Sequence, residues 1–130
     1  MPYPMNLRVA GTSLVALSLL GATIAFGAAA PAKGDAAKGK AIFSVKCIAC
    51  HKADGSGGVK LTGNPTPNWK DPKTWKDPAR FKGGDDYLRD CITNGKLKSG
   101  MVAWGKSGQL KPEQIEDLIA YIHVLAAPKK

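Results

Sequence analysis

Cys47-Ile48-Ala49-Cys50-His51 constrains this chain more than any other stretch. The two thiols are three residues apart and an imidazole follows the second directly, so all three side chains must serve one partner. A thioredoxin-like dithiol needs a strand–helix–strand context, and no such pattern flanks the motif. A zinc ion held by Cys47, Cys50, His51 and Cys91 needs ligands in spaced pairs, whereas Cys50 and His51 are adjacent. A plain disulfide leaves the histidine without a role. Cys-x-x-Cys-His is also the pattern of covalent c-type haem attachment. There both thiols reach the vinyl groups of one porphyrin and the next imidazole points at the iron. That reading uses every side chain of the motif. It makes Cys47 and Cys50 the covalent haem thioethers and His51 the first axial iron ligand of a single haem c.

The second axial ligand follows by elimination. Beyond residue 30 the chain has one methionine, Met101, and one histidine besides His51, namely His123. Met101 sits in the loop Ser99-Gly100-Met101-Val102-Ala103-Trp104-Gly105, whose glycines allow close approach to a flat cofactor. His123 lies at the flank of an apolar helical stripe, where a half-exposed role is expected. Met101 is therefore the expected iron ligand. A methionine sulfur paired with a histidine nitrogen favours ferrous iron and raises the potential. Iron filled by two protein ligands passes electrons but does not readily take up oxygen or substrate. The chain reads as a carrier and not as an enzyme.

The chain has 130 residues, enough for one domain. It is 44% hydrophobic and 22% charged, a globular composition rather than a disordered one. No Gly-rich phosphate loop and no βαβ alternation is present, which excludes a nucleotide-binding α/β enzyme. After Arg8 no charge occurs until Lys33. A basic start, an apolar stretch from Val9 to Phe26 and the small residues Gly27-Ala28-Ala29-Ala30 form the three parts of a secretory signal. The expected organisation is a signal peptide over 1–30 and a folded domain over 31–130. An uncleaved anchor is the alternative, since the run is long enough to span a bilayer. Either way the folded part lies outside the cytoplasm, with a periplasmic location expected.

The folded part reads as helices joined by long loops. Asp35 is placed to cap a helix running to about Lys46. Glycines and prolines then forbid long regular elements up to about residue 84. Within that stretch Trp69-Lys70-Asp71-Pro72 recurs as Trp75-Lys76-Asp77-Pro78. Each Asp-Pro is expected to start a turn and each Trp to cover something apolar. Asp85 to Asn94 reads as a helix capped by Asp85 and ended by a left-handed Gly95. Leu88, Cys91 and Ile92 fall on one face of it, which marks Cys91 as a small buried apolar residue rather than a redox thiol. Pro112 opens the clearest helix, with Ile115, Leu118, Ile119, Ile122, Leu125 and Ala126 as its stripe. No strand signal competes, so the fold class is all-α.

Four pieces in order carry a resemblance to the class I c-type cytochromes, covering roughly residues 34 to 127. They are Gly39-x-x-x-Phe43, the Cys47–His51 motif, Met101-Val102-Ala103-Trp104 and Leu118-x-x-Tyr121. The resemblance implies three to four helices and long loops wrapped around one haem. It also implies that the first and last helices cross where Gly39 permits close approach, with Phe43, Leu118 and Tyr121 locking the contact. The family often has proline after the ligand methionine, where this chain has Val102. A backbone carbonyl usually accepts a hydrogen bond from the proximal histidine; Pro65 is the candidate to supply it. Trp69, Trp75 and Arg80 are candidates for the haem propionates, with ordinary packing the competing expectation.

Charge points to partners. The chain carries 19 Lys+Arg against 10 Asp+Glu, a net charge of +9. A basic face at an exposed haem edge steers a protein toward acidic redox partners, here a donor dehydrogenase and an acceptor oxidase or reductase. No nucleic-acid motif accompanies the high pI, and contact with a membrane is expected only if the N-terminal segment stays uncleaved. The expected function is a one-electron carrier shuttling between redox partners outside the cytoplasm. A haem subunit held permanently in a dehydrogenase or respiratory complex is the alternative. A five-coordinate enzyme or gas sensor and a bare zinc domain are further readings. They are distinguished by carbon monoxide binding and by a colourless product.

Overall fold

The structure is a computed structural model and describes residues 33–128. The expected signal segment over 1–30 lies outside the described residues. The helices are α1 (Ala36–Lys46), α2 (Ile48–His51), α3 (Pro72–Trp75), α4 (Asp85–Asn94) and α5 (Pro112–Ala126), with a 3₁₀ turn at Leu97–Ser99. Three are the expected long helices; α2 and α3 are single turns. No strand occurs among the described residues, and an isolated bridge pairs Lys96 with Met101.

The frame is the crossing of α1 and α5, the most extensive helix contact among the described residues. Asp35 caps α1 as expected, its Oδ1 accepting from the N–H groups of Ala37 at 2.9 Å and Lys38 at 3.3 Å. Asp117 on α5 accepts the Asp35 N–H at 2.7 Å and so ties the start of α1 to α5. At the crossing the backbones nearly touch. A Cβ on Gly39 would lie 1.9 Å from the Asp117 carbonyl oxygen, a position only glycine permits. One turn on, the Phe43 and Tyr121 rings meet edge to face at 5.3 Å and 65°. Phe43 and Leu118 are each 1% exposed and form the centre of the core. The expected contact of Gly39, Phe43, Leu118 and Tyr121 is present.

Helix α4 packs on α5 through Leu88 and Ile92 and through the Arg89 fork on Glu116, whose Nη2–Oε2 distance is 3.0 Å. Its ends differ from expectation. Gly84, at φ 55°, is the N-cap, and Asp85 is already helical. The glycine takes a turn that Asp85 could not, and the carboxylate stays in the first turn, where the helix dipole favours it. Gly95 does have a positive φ of 70°, but its ψ of −179° is extended rather than left-handed helical. The returning chain sets this: a Cβ on Gly95 would lie 2.6 Å from the Met101 carbonyl oxygen.

The duplicated Trp-Lys-Asp-Pro segments behave alike at their aspartates. Asp71 accepts from the Lys73 N–H and Asp77 from the Ala79 N–H, each at 2.9 Å. Only the first copy extends into a helical turn, α3. The tryptophans are linked to each other, since Trp75 Nε1 donates to the Trp69 carbonyl at 2.7 Å.

Candidate functional site

The chain leaves α1 at Cys47 and immediately starts α2, because the Cys47 carbonyl accepts from both Cys50 N–H (3.2 Å) and His51 N–H (2.9 Å). One tight turn therefore places Cys47, Cys50 and His51 at i, i+3 and i+4, on one side of the backbone. Lys52 then takes φ 60° and ψ 156°, the one positive φ among the described non-glycine residues. This region is nearly exclusive to glycine, and it turns the chain sharply away behind His51. Thr66 closes the loop beneath the motif, its hydroxyl donating to the Cys50 carbonyl at 2.8 Å and accepting from the Val59 N–H at 3.1 Å.

Met101 arrives from the other side on a pinned turn. Its N–H donates to the Lys96 carbonyl at 3.1 Å and its carbonyl accepts from the Lys96 N–H at 3.0 Å. Between them the 3₁₀ turn ends in Gly100 at φ 82°, a left-handed residue. The Thr62 hydroxyl donates to the Lys98 carbonyl at 2.9 Å, which joins this turn to the 58–66 loop.

Cys47, Cys50, His51 and Met101 all line one cavity of about 400 Å³. An adjoining space of about 100 Å³ runs from it into the core, and Cys47, His51 and Met101 line that as well. Phe81, Tyr87, Trp104 and Pro67 complete the shared walls. Volumes of this order, with mostly apolar walls, suit a large planar cofactor. His51 is 8% exposed, and burial lowers its pKa to about 4. The ring is neutral at pH 7 and its nitrogen lone pair is available to a metal. Its Nδ1 is buried without a hydrogen-bond partner, a condition that ordinarily costs about 1–3 kcal/mol. Burial likewise pushes the Cys47 thiol up to about 11, against the lowering by Lys46. That is the opposite of the depressed thiolate pKa a catalytic dithiol needs. Among the described residues no group of three or more His, Cys, Asp or Glu side chains is arranged to hold a metal ion. The residues fit a haem.

His123 lines neither space; its Nε2 lies 2.6 Å from Asp85 Oδ1 on the exterior. The Pro65 carbonyl does not accept from His51 Nδ1. Pro65 is exposed and lines only the larger cavity, whereas Pro67 lines both with the ring. Arg80 lines the mouth and Trp69 the inner space, while Trp75 reaches neither and packs on Phe81 and His123. Cys91 is 8% exposed, and burial raises its pKa, in keeping with a structural thiol.

Two features of the site were not evident in the sequence. The Trp69 indole lies parallel to the His51 ring, 4.6 Å between centroids and 5° between planes. The Lys96–Met101 bridge was the other; the spacing of Gly95 and Gly100 around a short lysine-rich stretch was its signal. Lysine and arginine line the mouth at Lys46, Arg80 and Lys96, and no carboxylate does. The exposed apolar side chains Leu61 and Val102 stand beside them.

The sequence profile of the family described as cytochrome C oxidase, cbb3-type, subunit III matches residues 34–122. The Cbb3-type cytochrome c oxidase subunit FixP of Bradyrhizobium sp. (strain ORS 278) is 37% identical over 99 residues, which are 73% of this chain and 29% of that protein. The chain thus spans less than a third of that relative. Cytochrome c6 of Nostoc sp. (strain PCC 7120 / SAG 25.82 / UTEX 2576) is 37% identical over 113 residues, covering 85% of this chain and 87% of the relative. Cytochrome c6 of Limnospira maxima is 36% identical over 93 residues, covering 68% and 91%.

Proposed function

The chain belongs to the class I c-type cytochromes, and from that premise we propose that it is a one-electron carrier with a single haem c, acting outside the cytoplasm. Cys47 and Cys50 would hold the haem through thioether links, and His51 and Met101 would bind its iron. When bound, the haem supplies a one-electron ferric/ferrous couple. The observation that carries this reading is the convergence of a buried, neutral His51 with Met101 and both thiols on one cavity.

The chain's own residues do the rest. Burial keeps His51 neutral and ready to ligate. The Lys96 bridge holds the Met101 backbone in place, so its sulfur is presented without a large ordering cost. Phe81, Tyr87 and Trp104 exclude water from the walls, which favours the less charged ferrous state. With two protein ligands in place, substrate chemistry at the metal is excluded, and the protein is a carrier rather than an enzyme. Lys46, Arg80 and Lys96 around the mouth, beside apolar Leu61 and Val102, form a face for acidic redox partners. Residues 1–30 direct export and the folded part works in the periplasm. No helix among the described residues is long and apolar enough to cross a membrane.

Met101→Ala tests the assignment. The variant is expected to have a lower reduction potential and to bind carbon monoxide rapidly when reduced. An unchanged potential with no carbon monoxide binding overturns Met101 as ligand. The match to a cbb3-type oxidase subunit supports a second reading, a haem subunit held permanently in a respiratory complex. Gel filtration of native extract separates the two, since a free carrier elutes at the size of the chain alone.

A further inference from the structure

A groove of about 390 Å³ shares no residue with the cavity mouth. Trp75 and Pro72 give it an apolar wall, Lys70 and Lys76 flank it, and His123 and the end of α5 close it. We propose that this groove is a second electron-exchange surface, taking an acidic one-electron redox protein, and that Trp75 and Trp69 connect it to His51. The proposal rests on the carrier reading above.

Connection is the first argument. The His51 ring lies flat against the Trp69 indole at 4.6 Å. The Trp69 carbonyl accepts from Trp75 Nε1 at 2.7 Å. Trp75 in turn stacks on His123 at 5.3 Å and 24°, and both side chains line the groove. The path from solvent to the proposed ligand therefore runs through two aromatic stacks, covalent bonds and one short hydrogen bond. Electrons couple far better through such contacts than across open gaps.

Charge is the second argument. No carboxylate lines the groove itself, the nearest being Asp85, 2.6 Å from His123 Nε2, and Lys73 lies on α3, whose C-cap is Lys76. Lys73 and Lys76 have no ion pair among the described residues; the Lys70 contact to Asp54 is exposed, at 3.3 Å, and therefore weak. A basic rim around aromatic surface suits an acidic partner with an apolar centre. In the exchange the partner's redox centre loses one electron and the iron held by His51 goes from ferric to ferrous. No bond or proton is transferred, and the reverse direction returns the same electron.

The test uses the holoprotein with reduced flavodoxin, an acidic one-electron flavoprotein, as probe. Binding is followed by NMR shifts of His123 and the Trp75 indole, and transfer by stopped-flow absorbance. Lys70→Glu with Lys76→Glu is expected to abolish the His123 shifts and slow reduction several-fold. Trp75→Phe replaces the indole by a smaller phenyl ring and removes the Nε1–H; it is expected to slow reduction several-fold even at saturating flavodoxin, with the reduction potential unchanged. Wild-type reduction rates in the double lysine variant, with rates lowered only by Lys46→Glu at the cavity mouth, overturn the docking surface. A wild-type rate in Trp75→Phe overturns the route. Failure of the carrier reading is distinct, because the protein would then show no haem spectrum.

Discussion

Replacing Gly39 by alanine sets two effects against each other, and the structure decides the sign. Within an isolated helix the change gains about 1 kcal/mol. Here the added Cβ would lie 1.9 Å from the Asp117 carbonyl oxygen and 3.0 Å from Tyr121 Cβ. Restoring an ordinary carbon–oxygen contact of about 3.3 Å requires α1 and α5 to part by about 1.5 Å. A radial gap of about 0.5–1 Å already forfeits a quarter to a half of the packing attraction. Phe43, Leu118 and Tyr121 are buried across this contact and are each worth about 1.5–3 kcal/mol of burial. The loss over the three is about 2–4 kcal/mol, so the net change is a destabilisation of about 1–3 kcal/mol. In a domain of this size that lowers Tm by about 5–20 °C. Thermal unfolding of the holoprotein, followed by circular dichroism, reads the effect, with Lys40→Ala on the exposed side of α1 as control. A Gly39→Ala protein as stable as wild type would refute the argument, because it would mean the crossing relaxes without cost.

Other residues give independent checks. Lys52→Gly relieves a strained backbone worth about 1–3 kcal/mol at φ 60°, offset by about 0.5–1 kcal/mol of glycine entropy; denaturant unfolding should show a gain of about 1 kcal/mol, and a loss of that size contradicts the strain. Burial, with the neighbouring Cys91 thiol, pushes Tyr87 up to about 12. The folded state therefore keeps the phenol proton longer than the unfolded one, and this stability is whole below pH 10 and lost between pH 10 and about 12. Ultraviolet titration should find one tyrosine ionising near pH 12 that Tyr87→Phe removes; uniform ionisation near pH 10 contradicts it. Cys91 is buried with a raised pKa, so iodoacetamide at pH 7 should label it only after denaturation. Rapid labelling of the native protein would mean that α4 opens locally.

The parts of the molecule that were legible in the sequence are those fixed by short-range patterning. Asp35 before an apolar segment, Pro112 before a clean helical stripe, and the Cys47–His51 spacing each carry their meaning within a few residues. The Gly39–Tyr121 contact joins distant positions and was readable only through the family resemblance. Asp85 shows the limit of local rules. A good capping residue became the first helical residue because Gly84 could take a positive φ and because His123 sits across from its carboxylate. Gly95 likewise took an extended ψ because Met101 returns against it. Trp69 was legible as a buried ring but not as the ring stacked on His51, since the partner of an aromatic face depends on how the loop folds back. The Pro65 expectation was not met for the same reason: Pro65 and Pro67 both line the cavity, yet the folded path of the loop leaves His51 Nδ1 without a partner.

The central claim is a haem bonded to Cys47 and Cys50. The intact mass of the exported protein tests it most directly, measured after denaturation from a host with working haem-attachment machinery. The account predicts the mass of the chain plus one haem, with the haem staying on the unfolded polypeptide and lost from a Cys47→Ser, Cys50→Ser protein. The mass of the bare chain would contradict it.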